Sequence, residues 1–287
     1  MIKIFSYLIY KTIFYVDKFF FIITKKRFLA WFSYFLENDS YQKVLILNEN
    51  IKFFCPNNLI DWRVKKYFSK EPETLEWIDN FEKKDDLIFW DIGANIGLYS
   101  IYNALKNKSS ITYAFEPSSS NLRVLTRNIS INNLENKIKV ITMPLTIKDK
   151  DFQIMKEKEF VEGGAMNSFG VDFDFEGKKF QPEMKYNLLG TSINYLLENQ
   201  ILEIPDYIKI DVDGIEHLIL KGSNNYLKSH KIKSLSIEIN ENFIEQYEEV
   251  LKIMKENNFK ILHKRNQENN FLKDSKFNKT YNYIFVR

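Results

Sequence analysis

The sequence predicts an α/β fold with a mostly parallel central sheet that has a reversed strand at one edge. From Leu87 onwards, short apolar segments alternate with segments of helical period, which is typical of parallel strands covered by helices. Residues 260–264 and 282–287 follow with no helix predicted between them, so we expect them to pair as an antiparallel hairpin. With 287 residues, 45% of them apolar, the chain is long enough to bury a core.

Residues 1–36 are rich in aromatic side chains but are interrupted by lysines, including Lys3, Lys11 and Lys18. No uncharged run reaches the roughly 18 residues that a membrane-spanning helix needs. A signal-peptide cleavage site is also missing. We expect one or two helices here, either packed on the protein or lying on a membrane surface. The sequence therefore divides into an aromatic-rich helical segment over residues 1–50 and a second domain over residues 51–287.

The second domain alternates predicted strands and helices. The strands are predicted at residues 87–93, 111–116, 138–142, 207–212 and 234–239, and the helices at residues 96–106, 118–133 and 242–257. Residues 150–190 fit neither pattern and contain several of the nine glycines. They are interpreted as an active-site lid or, with equal weight, as a surface β-hairpin.

Composition excludes several classes of protein. Three histidines and the single Cys55 cannot build a zinc cluster or a disulfide framework. The net charge of +3 is too small to indicate nucleic-acid binding. We expect a cytoplasmic protein with no nucleic-acid partner, and the aromatic residues 1–36 leave a peripheral membrane contact open.

A glycine loop follows the first predicted strand of the sheet, in the segment Asp91-Ile92-Gly93-Ala94-Asn95-Ile96-Gly97. Glycines at a strand-to-helix turn let the backbone approach a ligand, and the helix N-terminus suits a nucleotide or a carboxylate. The dinucleotide fingerprint G-x-G-x-x-G is not met, which disfavours NAD. Glu116 ends the next strand about 20 residues later, where carboxylates accept hydrogen bonds from ribose hydroxyls. The combination predicts an adenosine pocket.

The sequence resembles the FkbM-type S-adenosylmethionine-dependent methyltransferases in three segments, residues 91–100, 114–121 and 208–223. The resemblance implies a Rossmann-like class I methyltransferase sheet, S-adenosylmethionine as the cofactor, and a sugar hydroxyl of a glycan or secondary metabolite as the acceptor. It also implies that Glu116 holds the ribose and that a carboxylate of the segment 71–73 meets the cofactor's amino group. The residues that it places in the cofactor loop are Asp91, Gly93, Asn95 and Gly97.

Carboxylates cluster after the fourth predicted strand. Asp211 and Asp213 follow an apolar segment, and Glu238 ends the next strand, so all three belong to the carboxyl edge of the sheet, where α/β proteins bind ligands. Methyl transfer to a hydroxyl needs a base for the acceptor proton, and a grouped carboxylate with a raised pKa suits that task. We therefore predict Asp211, Asp213 and Glu238 as catalytic. Glu216 is as readily a helix cap, and His217 is expected to be packed or exposed rather than catalytic.

Two other functions remain open from the sequence. Asp211 and Asp213 form an Asp-x-Asp pair, which in a glycosyltransferase would hold a divalent metal and a nucleotide-sugar diphosphate. The glycine loop disfavours that function, although the metal requirement itself stays open. A non-catalytic adenosine-binding module is the other alternative, and the intact Asp91, Glu116 and Asp211 disfavour it.

Overall fold

A computed structural model describes residues 1–266 and 277–287. The chain divides into two compact units, residues 1–42 and 43–287. The division falls inside β1 (Tyr41–Ile46), which pairs with β2 (Glu49–Phe54) in a two-stranded sheet.

The first unit is a pair of helices, α1 (Ile2–Thr24) and α2 (Leu29–Asp39). The Asp17 carboxylate on α1 is fully buried and accepts hydrogen bonds from the backbone N–H groups of Phe28 and Leu29, at 2.8 and 3.0 Å. It thereby satisfies donors at the start of α2 that have no partner within that helix. Arg27 also contacts the same carboxylate at 3.2 Å. Among the described residues, no helix combines the length and apolar character needed to cross a bilayer.

The second unit contains the remaining elements. Its helices are α3 (Asn58–Lys65), α4 (Pro72–Asp79), α5 (Leu98–Lys106), α6 (Ser119–Ile131), α7 (Ile193–Glu198), α8 (Glu216–Lys221) and α9 (Ile244–Glu256). Its further strands are β3 (Ile88–Ile92), β4 (Ile111–Phe115), β5 (Ile138–Ile141), β6 (Asp151–Glu157), β7 (Ser168–Phe169), β8 (Met184–Gly190), β9 (Tyr207–Ile210), β10 (Ser234–Asn240), β11 (Lys260–Arg265) and β12 (Thr280–Val286).

The central sheet has seven strands in the order β5-β4-β3-β9-β10-β12-β11. Strands β5, β4, β3, β9 and β10 run parallel, whereas β12 is antiparallel to both of its neighbours. The predicted α/β fold and the antiparallel terminal pair are confirmed. Within that pair the reversed strand is β12, which lies one position in from the edge strand β11. Residues 267–276, where no helix was predicted, lie outside the described residues.

The side chains of β3 divide the core into two faces, because alternate residues of a strand point to opposite sides. Ile88, Trp90 and Ile92 belong to the apolar cluster that also includes buried side chains of α7, α8 and α9. Phe89 points to the other side, where its ring lies 6.0 Å from that of Trp77 on α4. Both faces of the sheet are therefore covered by helices.

Residues 150–190 form a small antiparallel sheet in the order β7-β6-β8. In place of the predicted β-hairpin, β6 pairs antiparallel with both β7 and β8, and β8 follows β7 in the sequence. The connection between β6 and β7, residues 158–167, reaches back to the glycine loop, where the Asn95 amide donates a hydrogen bond to the Gly164 carbonyl at 2.8 Å. This segment therefore forms a three-stranded antiparallel sheet, and its connection between β6 and β7 contacts the carboxyl edge of the central sheet.

Candidate functional site

The glycine loop joins β3 to α5 and lies against the end of β9. Gly93 has a φ of +86°, and a Cβ atom there would lie 1.8 Å from the backbone oxygen of Asp211. The N–H groups of Gly93 and Ala94 both donate to the Phe115 carbonyl, at 3.0 and 2.9 Å. Only glycine allows two backbone segments to approach this closely.

Gly97, which was predicted to belong to the cofactor loop, lies at the N-terminus of α5. Its φ is +89°, and a Cβ atom there would lie 2.6 Å from the Leu125 side chain of α6. Gly97 precedes α5 and is not among the described residues that line the two cavities found at this edge of the sheet. The packing of α5 on α6 and the turn account for its geometry, and its contact with the cofactor stays a prediction.

Asp91 is fully buried and faces α5, where its carboxylate accepts a hydrogen bond from the Ser100 hydroxyl at 2.6 Å. Burial raises the pKa of Asp91, and the nearby Lys209 ammonium opposes that rise. Its other carboxylate oxygen has no partner among the described residues. Asp91, like Gly97, is not among the described residues that line either cavity, so the structure places it beneath the glycine loop.

Glu116 follows β4 and is 5% exposed. Its two carboxylate oxygens accept hydrogen bonds from the backbone N–H groups of Asn95 and Ser118, both at 2.8 Å. Burial raises its pKa to about 8, although these backbone donors oppose the shift. Glu116 therefore connects the glycine loop to the start of α6.

An apolar cavity of about 80 Å³ lies beside Glu116. Most of its walls come from aliphatic and aromatic side chains on the side of the sheet that α7–α9 cover. They include Ile92, Phe115, Met143, Leu145, Phe169 and Ile215. Such walls suit a flat apolar ring, and Glu116 supplies an acceptor at the rim.

A second, polar cavity of about 390 Å³ lies on the other side of the glycine loop. The two cavities share Gly93, Asn95, Asp211 and Asp213. The polar cavity brings together all three predicted catalytic carboxylates, which are Asp211, Asp213 and Glu238. It is also lined by Arg63, Lys70, Glu71, Glu73, Lys209 and Asn282.

Sheet register explains this grouping. Lys209 on β9 pairs with Asp91 on β3, so both side chains lie on the face that α5 covers. Asp211 follows two residues later, and Glu238 pairs with Asn282 of the reversed strand β12. Because side chains alternate along each strand, Lys209, Asp211 and Glu238 lie on the same face at the carboxyl edge of the sheet.

Lys209 is a buried cation that the sequence analysis missed. It is 1% exposed, its ammonium donates to the Asp211 carboxylate at 2.7 Å, and it lies 5.1 Å from the centre of the Tyr99 ring. Burial lowers the pKa of Lys209, but the Asp211 and Glu71 carboxylates overcome this effect and raise it above its usual value. The ammonium is therefore charged inside the protein and fixes Asp211.

Glu71, which precedes α4, lines the same cavity and is 6% exposed. Burial favours its protonated form, yet the Lys70 and Lys209 ammonium groups lower its pKa to about 2. Lys70 also donates a hydrogen bond to this carboxylate. Glu71 is therefore an ionised carboxylate in the cavity wall.

The pKa values of Asp213 and Glu238 are raised, whereas that of Glu71 is lowered. Burial and the neighbouring Asp211 raise the pKa of Asp213 to about 6, and its carboxylate accepts a hydrogen bond from the Met166 N–H at 2.7 Å. Burial, Asp211 and Glu71 raise the pKa of Glu238 well above its usual value. Within the described residues, no hydrogen bond or ion pair engages the Glu238 carboxylate.

Glu216 and His217 lie behind the site. The Glu216 carboxylate accepts hydrogen bonds from the N–H groups of Val212 and Gly214, at 3.0 and 3.1 Å, so it holds the turn after β9. His217 is 1% exposed and stacks on the Phe173 ring, as expected for a packed histidine. Burial lowers the pKa of His217 to about 4.

The residues present fit S-adenosylmethionine. A buried amide oxygen of Asn95 has no partner among the described residues and lies on the loop shared by the two cavities. A carboxylate-rich cavity suits the positive charge of a sulfonium and an amino group, and the apolar cavity suits an adenine ring. No group of three or more His, Cys, Asp or Glu side chains in residues 1–266 and 277–287 has a geometry that could hold a metal ion.

Comparison with known proteins agrees with these features. The sequence matches the methyltransferase FkbM domain over residues 91–261. It is 32% identical over 152 residues to methyltransferase sdnD of Sordaria araneosa, a match that covers 46% of this chain and only 58% of that protein.

Solved structures of low sequence identity were also found. The fibrillarin pre-rRNA processing protein of Methanococcus jannaschii is 15% identical with a TM-score of 0.45, covering 86% of this chain and 82% of that one. TrmK of M. capricolum, in complex with S-adenosyl-homocysteine, is 15% identical with a TM-score of 0.42, covering 74% of this chain and 66% of that one.

The family match extends over more than half of the chain and includes the glycine loop, Glu116 and the carboxylates that follow β9. The seven-stranded α/β sheet places those segments together at its carboxyl edge. The chain belongs to the FkbM family of S-adenosylmethionine-dependent methyltransferases, with a Rossmann-like fold.

Proposed function

We propose that the protein transfers a methyl group from S-adenosylmethionine to an oxygen atom, which belongs to a sugar hydroxyl of a glycan or secondary metabolite. The observation that carries this proposal is the Glu238 carboxylate, which lines the polar cavity without a partner among the described residues. When bound, S-adenosylmethionine supplies an electrophilic methyl group. The protein must then orient a hydroxyl and remove its proton.

Glu238 is the proposed general base. A carboxylate of ordinary pKa is a weak base at neutral pH, and a raised pKa improves its match to a hydroxyl proton. Burial and the neighbouring Asp211 and Glu71 supply that increase in pKa. Asp211 is less suited to proton removal because the Lys209 ammonium already binds its carboxylate.

Asp211 and Asp213 are proposed to orient the acceptor. Asp211 is fixed by Lys209, and Asp213 is fixed by the Met166 N–H of the connection between β6 and β7. Fixed carboxylates accept hydrogen bonds from hydroxyl groups in a defined direction, which favours one near-attack geometry. The 42%-exposed ring of Trp62 adds an apolar surface to a cavity otherwise suited to a hydroxyl-rich molecule.

Cofactor binding is proposed for Glu116, Gly93 and Asn95. Glu116 lies at the rim of the apolar cavity and would accept hydrogen bonds from ribose hydroxyls. Gly93 and Asn95 form the loop between the two cavities. Asp91 and Gly97 are proposed to support this loop from below through Ser100 and Leu125, respectively.

The test uses the variant Glu238→Gln. Acceptor candidates, including soluble glycans and lipid-linked sugars, are first screened for transfer of a labelled methyl group. On an acceptor so found, Glu238→Gln should lower kcat by about 100-fold or more, with little change in cofactor affinity. Because only the deprotonated carboxylate acts as a base, wild-type kcat/KM should rise with pH through the raised pKa of Glu238, and the variant should lose that rise.

The matched control is Glu256→Gln, which removes an exposed carboxylate of α9 outside the cavity and should keep full activity. Product analysis must find the label on oxygen; a label on nitrogen or carbon contradicts the proposed acceptor atom. Wild-type kcat in Glu238→Gln contradicts the proposed base. Loss of wild-type activity on adding a chelator would instead support a metal bound by Asp211 and Asp213.

A further inference from the structure

The helix α1 carries an exposed apolar stripe along its whole length. Its members recur at helical spacing and end with Ile22; they are Ile4, Leu8, Tyr15, Phe19 and Ile22, with exposed fractions of 67, 59, 61, 66 and 61%. Thr12 is the one polar residue on this line. Residues three and four positions apart share one face of a helix, so the stripe is continuous. Its 23 residues give α1 a length of about 35 Å.

The accessible charge of residues 1–36 is entirely positive. This segment contains six lysines and arginines but only one acidic residue, Asp17. Asp17 is 0% exposed, and its carboxylate is occupied by Arg27 and by two backbone N–H groups. The one negative charge of α1 is therefore withdrawn from the surface, and the other acidic residues of the first unit, Glu37 and Asp39, lie at the end of α2.

The lysines lie beside the apolar stripe. Lys11, Lys18 and Lys25 are seven positions apart, so they follow one side of α1 over about two double turns, down to the residue that caps its C-terminus. Lys18 and Lys25 are exposed, and Lys26 follows at the turn between α1 and α2. An apolar face bordered by lysines is the pattern of a helix that lies in the plane of a membrane surface.

We propose that residues 1–36 bind an anionic lipid surface, with α1 lying parallel to the membrane and its stripe inserted at the boundary between headgroups and acyl chains. The lysines then contact negatively charged headgroups. Buried Asp17 fixes the turn between the two helices and removes the one negative charge that α1 would present to such a surface. This proposal is independent of the acceptor and of the proposed base.

A second copy of this chain fits the stripe less well. Pairing two such faces would bring the lysines of both copies together, with no exposed acidic side chain in residues 1–36 to neutralise them. Like charges at a shared interface oppose association. An anionic bilayer supplies both the apolar environment and the opposite charge.

The test is flotation of the full-length protein with vesicles of phosphatidylcholine alone or mixed with phosphatidylglycerol. The wild-type protein should float with the mixed vesicles, weakly with phosphatidylcholine, and less as salt increases. Each lysine near such a surface contributes about five-fold in affinity, so Lys11→Gln with Lys18→Gln should weaken binding about 25-fold. Leu8→Ser with Phe19→Ser should weaken binding to both kinds of vesicle.

The matched controls replace the same numbers of exposed lysines and exposed apolar side chains in the second unit, residues 43–287. Lys108→Gln with Lys228→Gln removes two exposed lysines, and Phe152→Ser with Leu262→Ser removes two exposed apolar side chains. Both controls should float as the wild type does, and calorimetry with S-adenosylmethionine verifies that each variant is folded.

Three results would overturn the proposal. The first is a full-length protein that stays in the unbound fraction with mixed vesicles. The second is an equal loss of binding in the lysine variant and its control. The third is a lipid-free dimer, seen by sedimentation velocity, that Leu8→Ser with Phe19→Ser converts to monomer while the wild type fails to float; that result assigns the stripe to a second copy.

Discussion

Glu116 holds two loops with one carboxyl group. Its oxygens accept hydrogen bonds from the N–H groups of Asn95 and Ser118, so it holds the glycine loop and the start of α6 beside the apolar cavity. The carboxylate is also the one predicted to bind ribose, and the structure keeps it buried beside that cavity. Its position therefore combines support of the loop with contact to a ligand.

Replacing Glu116 tests that combined role. Above pH 8, where Glu116 is ionised despite its raised pKa, Glu116→Ala should weaken S-adenosylmethionine binding by about 1.5 to 3 kcal/mol, the range for a hydrogen bond to a charged group. Isothermal calorimetry measures the affinity, and circular dichroism verifies the fold. Glu116→Gln, which keeps the side-chain shape and one acceptor oxygen, should lose less. Wild-type affinity in folded Glu116→Ala would remove this residue from the proposed cofactor site.

The carboxylates of the polar cavity could be predicted from the sequence, whereas the buried lysine among them could not. Asp211, Asp213 and Glu238 could be grouped in advance because each follows a strand of one parallel sheet, and they do line one cavity. Lys209 could not be identified, because one lysine inside an apolar segment has no periodic signal. Its partners come from different parts of the fold: Glu71 precedes α4, and Asp91 lies across the strand register. A buried lysine in a predicted central strand was the available clue, since such a residue needs paired charges.

The strands β3, β4, β9 and β10 were predictable because they are mostly buried and apolar and contain no glycine or proline. The covering loop, residues 158–167, was not predictable in detail. Its contacts with Asn95 and Asp213 span long distances in sequence, and no local pattern encodes them. The position of β12 between β10 and β11 likewise depends on pairing with strands that are distant in sequence or order, which the local sequence does not show.

Gly97 shows how one residue joins two helices. A Cβ atom at this position would lie 2.6 Å from the Leu125 side chain, and the substituted residue would have to keep a φ of +89°. Gly97→Ala should therefore destabilise the protein by about 1 to 3 kcal/mol, measured by chemical denaturation. Adding Leu125→Ala should relieve the collision but not the backbone strain, so recovery should be partial. Gly97→Ala with undiminished stability would contradict the packing explanation.

At the scale of the whole molecule, the two compact units separate the proposed activities. The residues assigned to the cofactor and to the acceptor all lie within residues 43–287. The sequence indicated this separation, since aromatic residues and lysines dominate the first 36 positions while the motifs begin at Asp91.

Deletion of residues 1–42 should leave S-adenosylmethionine affinity within about two-fold of the full chain, because every residue assigned to the cofactor lies within residues 43–287. The same deletion should abolish flotation with anionic vesicles. Calorimetry and flotation on the one truncated protein measure both. A folded truncated protein that binds S-adenosylmethionine more than ten-fold more weakly than the full chain would contradict the separation of the two activities.

The wall shared by the two cavities has a thermodynamic consequence. Because Gly93, Asn95, Asp211 and Asp213 border both, any ligand that orders this wall from one side lowers the entropy that a second ligand must lose on the other. Linkage then requires the two affinities to change by one common factor. If bound S-adenosylmethionine raises the affinity for the acceptor by some factor, the bound acceptor must raise the affinity for S-adenosylmethionine by that same factor.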